Sequence, residues 1–306
     1  MTVEPSQLAR LSAEISVLAQ AAAPSTVAIL DRGRTSTGFL WRPDVVATAS
    51  EPLEARRDHK VAVLLAGDTQ VEGTVVGHDP STDLALIRLP APGTQLPTTA
   101  SARPLQLGEA VVAVGRGGHG TTCAVGFVAL AGGPWRSRRG GEISQRVRLD
   151  LALRRQGEGS AVLDATGRLR GMAVLGPMRR VLLIPADTIE RAGMELLTHG
   201  RIRRGYLGVR VQPVRLAPAA TVAGGAEAEH PLGLMVMGLD REGPASKAGL
   251  VQGDIIRAVD GETPHSPRGL SRLLPSTRIG QTVAIDLVRS GTDLRLPVVV
   301  GESPVR

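Results

Sequence analysis

Three positions in this chain carry groups that could do chemistry together. Asp83 closes the stretch Asp79-Pro-Ser-Thr-Asp83, Ser50 follows the run Val45-Val-Ala-Thr-Ala49, and Glu158 lies in the turn Gly157-Glu-Gly-Ser160 of the segment Asp150–Gly171. A hydroxyl, an imidazole and a carboxylate within mutual reach make an acyl-transfer site, in which the imidazole takes the hydroxyl proton and the carboxylate orients the imidazole. The chain has six histidines to supply that base. His59 follows Arg56-Arg57-Asp58, His78 precedes the Asp79-Pro80 turn and His119 sits between glycines, so each reads as a solvent-facing loop residue. His199, His230 and His265 have no metal-ligand spacing with one another or with Cys123, and neither a metal site nor a cofactor is expected. Ser160 has no evident base and reads as a polar turn residue. Cys123, the single cysteine, reads as a small buried residue of a strand.

The elements that must hold these groups are mostly strands. Residues 5–22 place Leu8, Leu11, Ile15 and Leu18 at helical spacing, which predicts an N-terminal helix over residues 1–23 packed on the body. Its polar face has few cations, which argues against a membrane surface. Between Thr26 and Pro185 the pattern changes to twelve short apolar runs, from Val27–Leu30 to Val181–Ile184, separated by Gly, Pro and Asp turns. That pattern predicts a mainly β fold of closed barrels over residues 24–200. A helix over 186–198 ends at His199-Gly200, and a smaller module follows over 201–306, with Pro213–Pro231 read as a flexible insertion.

In order along the chain, Ser36-Thr-Gly-Phe-Leu-Trp41, Val45–Ser50, Asp79-Pro-Ser-Thr-Asp-Leu-Ala-Leu-Ile-Arg-Leu89, Leu107–Gly115, Asp150–Gly171 and Ile184-Pro-Ala-Asp187 resemble the HtrA/Deg family of trypsin-like serine proteases. The resemblance implies a chymotrypsin-like double β-barrel. It also implies a triad drawn from both barrels: a histidine after the Val45–Ala49 strand, an aspartate at Asp83, and a serine in a glycine turn. Asp83 fits. Ser50 stands at the histidine position and Glu158 at the serine position, with no gap or insertion to shift either. A serine cannot serve as the base, and a carboxylate is a poor nucleophile toward an amide. Loss of nucleophile or base alone costs on the order of 10⁶ in turnover in a serine protease.

The last module carries Arg204-Gly-Tyr-Leu-Gly-Val209, Gly243-Pro-Ala-Ser-Lys-Ala-Gly-Leu250 and Gly253-Asp-Ile-Ile-Arg-Ala-Val-Asp-Gly261, which resemble a PDZ domain of the HtrA type. The resemblance implies that peptides or protein C-termini add as a strand to a sheet edge, with Tyr206, Leu207, Gly208 and Val209 receiving the terminal carboxylate. A helix near Ser266–Leu274, with Leu270 and Leu273, would form the other wall. The alternative is that these residues are only core and the groove is closed. Family members often form trimers, so a homo-oligomer is an expectation by resemblance.

A net charge of +7 with 36 Lys and Arg raises the question of nucleic acid. The arginines are dispersed in pairs and triplets without interleaved aromatics, which make up 2% of the chain, so no nucleic-acid partner is expected. No run is long enough to span a bilayer and residues 1–23 lack a signal-peptide pattern. The sequence as written reads as cytoplasmic, or periplasmic if an N-terminal leader has been removed. Three functional readings stand: a catalytically inactive protease homologue that binds peptides or acts as a scaffold, an active serine endopeptidase with a rebuilt site, and a polyanion-binding protein.

Overall fold

The structure, a computed structural model, describes residues 6–53, 58–93, 103–215 and 232–304. It divides into two compact units, Met1–Ile202 and Arg203–Arg306.

The first unit opens with α1 (Gln7–Ala22), started by Ser6, whose hydroxyl accepts from the Ala9 N–H at 3.2 Å. Only its C-terminal half packs as expected: Leu18, Ala19 and Ala22 join the core, whereas Leu8 and Leu11 are exposed. Six strands then follow: β1 (Thr26–Asp31), β2 (Arg34–Arg42), β3 (Val45–Ala49), β4 (Lys60–Leu64), β5 (Gln70–Asp79) and β6 (Leu84–Arg88). They close into a barrel in the order β1-β2-β3-β6-β5-β4. The second set is β7 (Ala110–Gly117), β8 (Gly120–Ala131), a short hairpin of β9 (Trp135–Arg136) and β10 (Glu142–Ile143), then β11 (Val147–Asp150), β12 (Ser160–Asp164), β13 (Leu169–Leu175) and β14 (Val181–Pro185). Without the hairpin, these close as β7-β8-β11-β14-β13-β12, the connectivity of the first barrel repeated. Valine, isoleucine and leucine alternate into both interiors because closure leaves one face of each strand dry.

The helix α2 (Ala186–His199) packs Ile189, Ala192 and Leu196 into the shared core and ends at Gly200 in the left-handed conformation. A Cβ at Gly193 would lie 2.7 Å from the Trp41 ring, so glycine lets the helix sit on the indole. Two barrel-strand residues depart from expectation. Cys123 lies in β8 but is exposed, because it falls on the outward phase of a strand whose Gly126 and Val128 face inward. His78 is a half-buried member of β5, paired with Ala85, and not a loop residue.

The second unit holds β15 (Gly205–Tyr206), β16 (Val209–Arg215), β17 (Leu232–Leu239), α3 (Pro244–Lys247), β18 (Ile255–Val259), α4 (Pro267–Arg272), β19 (Thr282–Arg289), β20 (Thr292–Val299) and β21 (Gly301–Glu302). The main sheet runs β16-β17-β18-β19-β20, while β15 pairs with β21. Pro213–Arg215 belong to β16, so the expected insertion starts later; residues 216–231 lie outside the described residues. Asp254, fully buried, accepts from Arg289 at 2.7 and 2.8 Å and from the Val251 N–H at 2.9 Å, which locks the turn before β18.

Candidate functional site

Backbone hydrogen bonds set the first-barrel half of the site. The Asp79 carboxylate accepts from the N–H and hydroxyl of both Ser81 and Thr82, at 2.6 to 3.2 Å, and so folds the Asp79-Pro-Ser-Thr turn around itself. The turn delivers Asp83 with φ 57°, a left-handed backbone that aspartate tolerates better than most residues. The Asp83 carbonyl then accepts from the Ser50 N–H at 3.2 Å, and its Oδ1 accepts from the Glu51 N–H at 2.9 Å. Position 50 and Asp83 are thereby fixed to each other through main chain. The Ser50 side chain is buried, with its Oγ 3.3 Å from His78 Nδ1.

The second-barrel half is a tight turn. Arg155–Gly157 form a single 3-10 turn, with the Gly157 N–H donating to the Arg154 carbonyl at 2.8 Å and the Glu158 N–H to the Arg155 carbonyl at 3.2 Å. Gly159 has φ 98°, and a Cβ there would stand 2.0 Å from the Thr37 carbonyl oxygen. Glycine is therefore required where this turn meets β2. The Glu158 carbonyl accepts from the Thr37 N–H at 3.2 Å, and Thr37 O accepts from Thr48 Oγ1 at 2.7 Å, so the barrels are joined at this point. Ser160 is buried and donates to the Gly157 carbonyl at 2.7 Å, the turn role expected of it.

Glu158 does not pair with Arg154 or Arg155 and does not turn outward. It is 7% exposed, and its Oε1 accepts from the Leu175 N–H at 3.2 Å at the end of β13. Burial pushes its carboxyl up to about 7; the Leu175 N–H opposes this, the charges of Asp83 and Glu51 add to it, and Arg155 offsets a part. Burial likewise raises Asp83 to about 6, helped by Glu51 and opposed by the N–H groups of Glu51 and Ser50 and by Arg139. Burial lowers the His78 value more than neighbouring Asp79 raises it, so this imidazole is neutral at pH 7.

The three residues singled out in sequence are thus neighbours: Ser50 is bonded to Asp83 through main chain, and the Asp83 charge acts on Glu158. Three partners were not foreseen: Glu51, His78 and the Leu175 N–H. Glu51 adjoins Ser50 and could have been found; the other two depend on strand pairing. His59 is also half-buried, with Nε2 3.1 Å from Asp31 Oδ1, rather than free in a loop. Among the described residues no group of three or more His, Cys, Asp or Glu could hold a metal ion.

In the second unit, Tyr206 ends β15, Leu207 is buried, Gly208 has φ 78° and Val209 opens β16. The carbonyls of Leu207 and Gly208 accept from Ala245 and Asp240, both at 2.8 Å, while no backbone acceptor faces their own N–H groups among the described residues. The Tyr206 hydroxyl donates to Asp240 Oδ2 at 2.8 Å. Leu270 and Leu273 are 4% and 8% exposed, so they belong to the core of this unit as much as to any groove.

Two six-stranded barrels with paired sites at their junction, followed by a five-stranded sheet with a glycine-bearing loop, define a trypsin-like peptidase fold joined to a PDZ domain. A trypsin-like peptidase domain model matches residues 36–172 and a PDZ domain model matches residues 205–300. The chain thus joins a trypsin-like peptidase domain to a PDZ domain and is similar to the HtrA/DegP-like serine proteases. It is 31% identical over 277 residues to a probable periplasmic serine endoprotease DegP-like of Brucella suis, covering 88% of this chain and 52% of that protein. It is 24% identical over 280 residues to the serine endoprotease DegS of Haemophilus influenzae, covering 88% and 77%. The chain spans about half the length of the DegP-like relatives. The fold matches the serine endoprotease from Yersinia pestis with a TM-score of 0.72 and 22% identity, covering 95% of this chain and 98% of that one. It matches the HtrA-type protease AlgW with decapeptide at 0.70 and 22%, covering 95% and 99%. The cytoplasmic expectation finds no support in relatives named periplasmic. No helix among the described residues is long and apolar enough to cross a membrane.

Proposed function

We propose that this chain is a catalytically inactive HtrA-like protease homologue that binds peptides or protein C-termini through its PDZ domain. The observation that carries this reading is Glu158: a buried carboxyl, held by the Leu175 N–H, at the position assigned to the nucleophilic serine. Two further features support it. Position 50 offers a hydroxyl and no imidazole, and the Glu158 N–H, which a trypsin-like oxyanion hole would need, is committed to the Arg155 carbonyl. On the PDZ side, the support is the unopposed N–H groups at Leu207 and Gly208 beside an edge strand, the geometry that receives a terminal carboxylate. Relatives named periplasmic favour that compartment for this chain, and the family resemblance favours a homo-oligomer.

A second reading, an active endopeptidase, draws on the names of the relatives and on the Ser50–His78 contact, which could pair a hydroxyl with a neutral imidazole. Against it, Ser50 is 5% exposed and an oxyanion formed there would face Glu51, Asp83 and Glu158. Treatment with a fluorophosphonate and with unfolded casein separates the two. The expected result is neither labelling nor cleavage. Labelling that Ser50→Ala abolishes would establish the rebuilt site instead.

A further inference from the structure

The strand β16 is the outer member of its sheet, hydrogen-bonded to β17 on one side only, and α4 packs beside it. Val209 and Val211 alternate toward the core, while Arg210 and Gln212 are exposed. The Arg210 guanidinium rests on the backbone of Gly238 in β17: a Cβ at Gly238 would lie 2.7 Å from its Nη2. On α4, Arg268 and Arg272 are exposed and one helical turn apart. None of these three arginines has an ion-pair partner among the described residues. By contrast Arg257, Arg278, Arg289 and Arg295 of the same unit are paired with Asp293, Asp260, Asp254 and Asp286. Asp240, the acid beside Gly208, is engaged by Tyr206. The uncompensated positive charge of this unit therefore includes Arg210 on the edge strand of the proposed groove, with Arg268 and Arg272 on the outer face of α4 nearby.

The geometry points to an acidic C-terminal peptide as the ligand of this groove, with an apolar last residue and Asp or Glu among the residues just before it. The inference rests on the peptide-binding reading of the PDZ domain and names the partner's chemistry. Side chains of an added strand alternate between faces. If the last residue points inward beside Leu207 and Val209, the residues one and three places before it share a face with Arg210. Charges on such rims act chiefly on association rate and salt dependence.

The test is fluorescence anisotropy of the full chain with three labelled peptides that share an apolar end: one with Glu one, two and three places before it, one with Gln there, and the Glu peptide as its C-terminal amide. The Glu peptide should bind about tenfold tighter than the Gln peptide at low salt, with the gap closing in about 0.5 M NaCl. Arg210→Gln should weaken the Glu peptide more than the Gln peptide and so shrink the gap, and the double variant Arg268→Gln/Arg272→Gln, on the outer face of α4, should shrink it less. Equal binding of Glu and Gln peptides, with the amide lost, would overturn the charge inference and leave the groove intact. Equal binding of amide and free acid, or no binding of any peptide, would overturn the groove reading itself.

Discussion

Replacing Glu158 with glutamine should stabilise the barrel unit, and by an amount that depends on pH. Glutamine keeps the shape and the Oε1 acceptor for the Leu175 N–H but cannot ionise. The folded chain holds the Glu158 proton up to about 7, against an ordinary value of 4.5. Between those values the unfolded chain has released the proton and the folded chain has not, so stability falls as pH rises through that window and the loss is complete above it. At about 1.36 kcal/mol per pH unit, the rise from 4.5 to about 7 sets a ceiling of about 3 kcal/mol. Relaxation of the turn and entry of water reduce that, and about 2 kcal/mol at pH 8 is the expected gain of Glu158→Gln, shrinking to near zero at pH 4. Both tryptophans of the chain, Trp41 and Trp135, lie in the first unit, so urea unfolding followed by tryptophan fluorescence reads this unit directly. Asp83→Asn should move the Glu158 value down, since the Asp83 charge raises it. A stability difference between wild type and Glu158→Gln that is the same at pH 4 and pH 8 would refute the buried-carboxyl account.

Two further outcomes follow from close packing. Gly193→Val should cost about 1 to 3 kcal/mol and disturb Trp41 fluorescence, because the new side chain must displace the indole; an unchanged emission maximum and midpoint would contradict the α2 placement. Asp254→Ala should cost the second unit about 3 kcal/mol, since it removes the buried acceptor of Arg289 and of the Val251 N–H. Burial alone would raise the Asp254 value, but the bonds from Arg289 and Val251 hold it below the ordinary one. Its stabilisation is therefore present at neutral pH and lost as pH falls through the folded value, and hydrogen exchange at the Val251 amide should report it.

Much of this architecture is legible in sequence because barrels punctuate themselves. Each of the twelve apolar runs corresponds to a barrel strand, since turn residues interrupt them at every reversal. The Asp79-Pro-Ser-Thr-Asp83 stretch is equally readable, because the hydroxyls at 81 and 82 are there to bind Asp79. What the sequence hid is the three-dimensional reason for a residue. Gly77 before His78 looks like a turn signal, yet the strand runs on through His78 to Asp79. Gly77 is small because a Cβ there would stand 2.3 Å from the Gly200 carbonyl at the end of α2. The Asp79-Pro80 turn signal, read as starting before His78, put His78 in a loop and hid its contact with Ser50. Cys123 was lost to a simpler ambiguity, since alternation gives two faces but not which one is inside.

The junction of the barrels holds this site in shape largely independently of the side chains at positions 50 and 158. The contacts that assemble it run largely through main chain: Ser50 N–H to Asp83 O, Thr37 N–H to Glu158 O, Gly159 N–H to Ala173 O at 2.9 Å. None depends on what positions 50 and 158 carry beyond Cβ. Glycine at 159 and the Asp79 turn are needed for geometry whatever the chemistry. The backbone of this site therefore stays in place whichever side chains stand at positions 50 and 158. The same independence gives the double variant Ser50→His/Glu158→Ser a sharp expectation. It should fold and lose the pH-dependent penalty of Glu158, yet stay unlabelled by a fluorophosphonate while the Glu158 amide remains bonded to Arg155 O, because restored side chains do not free an oxyanion donor that the turn has taken.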